Sequence, residues 1–172
     1  MKKLFIITIA LCMAFMLTAC STKSKNEGTP TNNTEKKEPT PPVYNTKTLE
    51  CNKDYSDQMS NGIHMDQDVH MEFLDNKVQT FDMAMNFEIP SSLESASESF
   101  INTMMSTYES QYGKYDGVTV TLKKTDSLNF TIVISMDFQN MAAADKVAIG
   151  MSGSEDYTVN KTAFINQGYT CE

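Results

Sequence analysis

The chain of 172 residues carries 22 acidic residues against 14 lysines, contains no arginine, and has a net charge of −8. The imbalance is concentrated in residues 47–172, where eight lysines face nineteen Asp and Glu, a net charge of −11. Such a stretch is a poor candidate for nucleic acid or anionic lipid headgroups and tolerates cations or a basic partner, although acidity also serves solubility alone.

The N-terminus opens with Met1-Lys2-Lys3, and residues 4–19 then contain no charged side chain. This run is too short and wrongly flanked for a spanning helix and fits a secretory h-region. Leu17-Thr18-Ala19-Cys20 looks like a lipobox. The expectation is a lipoprotein signal peptide over residues 1–19 and lipid attachment at Cys20. Two or more acyl chains anchor stably. The chain is therefore expected to be exported and held on the outer side of a bacterial cell membrane, on the outer membrane in a Gram-negative host, without crossing it. Residues 20–46 are mostly Ser, Thr, Asn, Lys, Glu and Pro, with Val43 and Tyr44 the sizeable apolar residues. Pro30, Pro39, Pro41 and Pro42 interrupt any helix or ladder, and so little apolar surface cannot offset the entropy of ordering. This segment reads as a lipid anchor with a disordered spacer.

Residues 47–172 have the length of one domain. A weak strand is expected over about 48–59, with Leu49, Cys51, Tyr55 and Met59 on odd positions. Two clear strands follow. In residues 63–73, Ile63, Met65, Val69, Met71 and Phe73 alternate with polar residues, and in 79–89 so do Phe81, Met83, Met85, Phe87 and Ile89. Period two with one polar face indicates half-buried antiparallel strands. Parity favours three-residue loops at Ser60-Asn61-Gly62, pairing Met59 with Ile63, and at Asp75-Asn76-Lys77, pairing Met71 with Phe81. Pro90 stops the third strand, and Ser91 with Glu94 has the form of a capping box. A helix over about residues 91–112 carries Leu93, Ala96, Phe100, Ile101, Met104, Tyr108 and Tyr112 at helical spacing and ends at Gly113. Two strands, with Val118, Val120 and Leu122, then Leu128, Phe130, Ile132 and Ile134, precede short helices near residues 141–149 and 159–167. The expected fold is α+β: an antiparallel sheet of about five strands, with one main helix and short C-terminal helices on one face.

Export would remove Cys12 and modify Cys20, leaving Cys51 and Cys171 at opposite ends of the domain. An oxidising compartment makes a disulfide between them the expected state, with two buried thiols as the alternative. Closing so long a loop contributes at most about 5 kcal/mol.

Phosphate loops, a nucleophile elbow, Cys-x-x-Cys and helical His-Glu-x-x-His are all missing. The expected register sets His70 between Asn52 and Asp82, His64 between Gln58 and Glu88, and Asp68 opposite Asp54. His64 and His70 lie roughly 20 Å apart along one strand and cannot share a metal. His70 with Asp68 and Asp82 has ligand types that suit a zinc-like ion, while a solvated face with dispersed carboxylates accounts for the same residues. Met65, Met71, Met83 and Met85 fall on the core parity, as packing rather than copper ligation requires.

The lipobox and polar spacer, Leu74-Asp75-Asn76-Lys77-Val78, Tyr115-Asp116-Gly117-Val118 and the ending Asn166-Gln167-Gly168-Tyr169-Thr170-Cys171 together resemble the YehR-like bacterial lipoproteins. The resemblance implies a small α+β lipoprotein domain of uncharacterised role, with no catalytic residues to carry over. The function expected is a membrane-anchored, non-catalytic binding or interaction domain for an unknown protein or small-molecule ligand, with no cofactor. Alternatives are divalent-cation binding by the acidic face and a carboxylate-based hydrolase.

Overall fold

The structure, a computed structural model, describes residues 44–151 and 156–172. The signal segment, Cys20 and nearly all of the spacer lie outside the described residues. β1 (Thr46–Asp54), β2 (His64–Leu74) and β3 (Lys77–Glu88) form a meander. They are followed by α1 (Glu94–Tyr112), β4 (Val118–Lys124), β5 (Asn129–Asp137), α2 (Ala143–Ala148), α3 (Tyr157–Asn166) and β6 (Thr170–Cys171). The strands make one sheet in the order β4-β5-β3-β2-β1-β6, antiparallel at every pairing. The fold is α+β, as the alternation predicts, but with six strands. The two-residue β6 is too short to carry a periodic signal. It is held by the Cys51–Cys171 disulfide, whose residues are direct cross-strand partners with Cα atoms 4.1 Å apart.

The apolar side chains of the strands turn to one core. Leu49, Met71, Met83, Met85, Ile132 and Ile134 are fully enclosed there. Phe87 and Phe130 stack at 4.7 Å, and Phe100 brings α1 onto both rings edge-on at 5.9 and 6.2 Å. Tyr157 at the start of α3 meets Phe73 edge-on at 5.3 Å. Along α1, Ile101, Tyr108 and Tyr112 are buried, but Ala96 is exposed and Ser97 takes the inward place. The core also encloses a polar position. Gln67, 1 % exposed, accepts at Oε1 from the Tyr169 hydroxyl at 2.9 Å, which lies 3.1 Å from the Tyr55 hydroxyl. Lys53 closes this end, with Nζ over the Tyr55 ring at 4.5 Å and donating to the Gln167 carbonyl at 2.6 Å.

Three local expectations are corrected. β1 ends at Asp54 rather than near Met59, because Asp54 Oδ1 accepts the Ser56 N–H at 2.7 Å and a 3-10 turn, Ser56–Gln58, begins. The β1–β2 register therefore slips by two residues, which keeps the faces but changes the partners: Glu50, not Asn52, lies opposite His70, and Asp66, not Asp68, opposite Asp54. At the β2–β3 turn, Met71 does pair with Phe81, but the loop has two residues, Asp75 and Asn76, at φ 49° and 66°. Both left-handed positions make it a primed turn, and a bulge after Glu72 restores the parity by skipping Gln79. The capping box does not form: α1 begins after a 3-10 turn, Ser91–Leu93, with no side-chain cap.

Candidate functional site: the open face of the sheet

The sheet's polar face can be followed as rows of cross-strand partners. One row runs Glu50, His70, Asp82, Ser135, Thr119, and its neighbour runs Thr48, Glu72, Thr80, Asp137, with Asp137 N–H donating to the Gly117 carbonyl at 2.7 Å. On the other side come Asn52, Asp68, Ala84, Val133, Thr121, then Asp54, Asp66, Asn86, Thr131, Lys123, and finally His64, Glu88, Asn129. Eight carboxylates therefore share these five rows with one lysine, Lys123, at the β4 edge, and the next row, Thr46, Leu74 and Lys77, adds a second lysine.

Part of this face is tied together by amides. Asn86 Nδ2 donates to Asp66 Oδ2 and Asp68 Oδ2 at 2.8 Å each, and Asn86 Oδ1 accepts from Thr131 Oγ1 at 2.8 Å. Asn52 Nδ2 donates to Asp68 Oδ1 at 2.9 Å. Both oxygens of Asp68 thus have amide donors, one on each side. Asp68 is held in this amide network rather than grouped with His70 and Asp82, the set whose ligand types would suit a zinc-like ion. Among the described residues no three His, Cys, Asp or Glu side chains are grouped to hold a metal ion.

His70 occupies a clamp of carboxylates. Its Nδ1 meets Glu50 Oε1, its Nε2 lies 3.8 Å from Glu72 Oε1, and Asp82 is its partner on β3. The hydrogen bond to Glu50 raises the imidazole pKa above its ordinary value, partial burial opposes the rise, and the charges of Glu50, Glu72 and Asp82 add to it. His64, between Gln58 and Glu88 in expectation, does lie opposite Glu88, but its Nδ1 meets Ser56 Oγ, because the turn replaces Gln58 as its neighbour.

Beside His70 the face sinks into a trough of about 440 Å³ lined by His70, Glu72, Thr80, Asp82, Thr119, Ser135 and Asp137. It forms because the outward positions beside His70 and Glu72, Ser135 on β5 and Thr119 on β4, carry short side chains, and Gly117 just before β4 carries none. Asp137 is held below the ordinary carboxylate range by donation from the Asn140 amide and the Gln139 N–H. The β4–β5 half of this trough was not assigned from sequence. Its signal was there, in Thr131 and Ser135 alternating with Phe130, Ile132 and Ile134, but strand order is needed to bring β5 beside β3.

Among the described residues no helix is long and apolar enough to cross a membrane. No family model matches the chain, and no curated protein matches it. Among solved structures, the NMR structure of a protein from Streptococcus pneumoniae TIGR4 is similar, at 12% identity over 90% of this chain and 100% of that one, with a TM-score of 0.49.

Proposed function

We propose that this chain is an exported lipoprotein of the YehR-like kind, anchored through Cys20, whose domain is a non-catalytic binding module with the open face of the sheet as its contact surface. The observation that carries the reading is the uncovered sheet face itself, with eight carboxylates against two lysines, Lys77 and Lys123, and a trough at one end. Like charges on neighbouring strands repel, and a partner of opposite charge relieves that repulsion. A polar, proline-containing spacer on a lipid anchor suits a module that must reach a partner near the membrane. The test is affinity capture of host envelope proteins by the full chain, repeated with Asp66→Lys, Asp68→Lys and Glu72→Lys together. Loss of specific partners from the reversed chain supports the reading, and an identical set of captured proteins overturns it.

A further inference from the structure

The trough crosses the strands, and its dimensions and charge select among partners. From β2 to β4 it spans three strand-to-strand steps, about 14 Å at the usual spacing, which an extended polypeptide covers in about four residues. Its carboxylates stand on three strands, Glu72 on β2, Asp82 on β3 and Asp137 on β5, and no lysine lines it. The floor is short and hydrogen-bonding, with Thr80, Ser135 and Thr119 able to meet a backbone. The ring of His70 forms the wall, and the groups facing it are Glu50 from β1, Glu72 on its own strand and Asp82 from β3, with Asp137 across the trough.

Resting on the reading of the open face as the contact surface, we propose that the trough docks an extended lysine- or arginine-bearing segment of a partner protein, and that His70 loosens this hold in acid. Carboxylates spread over three strands match cationic side chains spread along an extended chain. A bound cation near His70 competes with the imidazolium for Glu72 and Asp82, so occupancy and protonation of His70 oppose each other, and linkage makes the opposition reciprocal. The hydrogen bond to Glu50 raises the pKa of His70 above its ordinary value, so the competing imidazolium forms readily as pH falls.

The experiment is calorimetric titration of the full chain in detergent micelles, at low ionic strength, with a synthetic decapeptide of alternating lysine and threonine. Its glutamate-threonine counterpart and spermine serve as competing probes. The lysine peptide is expected to bind at about pH 8 and roughly fivefold more weakly at about pH 5.5, as one added charge at the wall requires. Glu72→Gln with Asp82→Asn should weaken it roughly tenfold, while Glu98→Gln with Glu109→Gln on α1 should change it by less than about twofold. His70→Gln should bind with the same affinity at both pH values. Absence of lysine-peptide binding overturns the assignment, as does equal weakening by the α1 pair, which would make the attraction bulk charge. Spermine matching the peptide would make the occupant a small polycation and overturn the polypeptide. An unchanged pH dependence in His70→Gln overturns the role of His70. If the peptide fails while charge reversal still abolishes partner capture, the open face stands as contact surface and only the basic segment is wrong. If reversal leaves capture unchanged, the face itself is wrong.

Discussion

Cys51 and Cys171 are direct partners across β1 and β6, and their disulfide secures a strand of two residues that also pairs Thr170 with Asn52 and is followed by the Glu172 N–H donating to the Glu50 carbonyl at 2.9 Å. The bond closes a loop with a sequence separation of 120. Reduction, or Cys171→Ser, is expected to cost about 2–4 kcal/mol, read from denaturant melts with and without reductant. Superimposable melts, or thiols that react with alkylating reagent before reduction, would show that the bond does not hold the edge.

Tyr169 completes a buried pairing with Gln67 from the far end of the chain. Tyr169→Phe keeps the ring against Phe164, 5.1 Å away, and removes only the hydroxyl. The Gln67 carbonyl oxygen then loses its donor in a position 1 % exposed, at a cost of about 1–3 kcal/mol by thermal or urea unfolding. A variant as stable as the parent would mean that the hydroxyl is dispensable there.

Alkaline pH should unsettle the same end of the core. Burial pushes the Tyr108 phenol up to about 12, with the charges of Tyr112 and Tyr55 adding to the rise. A group whose folded pKa is raised contributes stability that is fully present below its unfolded value, about 10, and is lost as pH rises through the folded value. Folding stability should therefore fall between about pH 10 and about pH 12, and less steeply in Tyr108→Phe. Ultraviolet titration of the tyrosines showing all of them ionising together near their ordinary value would contradict this.

The histidine clamp makes a milder prediction because His70 is partly open to solvent. Its folded pKa is raised, so the stabilisation from Glu50 is present below about pH 6.5 and is lost as pH rises through the folded value. In an NMR pH titration, Glu50→Gln should move the His70 midpoint down toward the ordinary histidine value. A midpoint indifferent to that substitution would remove Glu50 as the cause.

The long strands and the main helix were legible because their periodic patterns run over many residues, as in Met65 to Phe73 and Phe81 to Phe87. What escaped depended on partners distant in sequence or on side-chain turns. Asp54 and Ser56 end β1 with a local hydrogen bond that parity does not register, and this moved Glu50 rather than Asn52 against His70. Parity alone gives the Asp75-Asn76 turn a third residue, Lys77, whereas a bulge at Gln79 carries the extra parity step. The polar residues of β2 and β3 could be listed in advance, but their meeting with Ser135 and Thr119 could not. That meeting depends on β5 returning beside β3, a pairing across the whole of α1.

On the proposed reading, the open face of the sheet is where a partner binds. Site-specific photo-crosslinking in the host cell tests it most directly, with a photoreactive amino acid at Ala84 or Val133 on that face and at Ser99 or Asn102 on the exposed side of α1. Covalent adducts to one partner from positions 84 and 133, absent from positions 99 and 102, are the predicted result. Adducts formed only from the α1 positions would place the contact on the helix and overturn the open face as the binding surface.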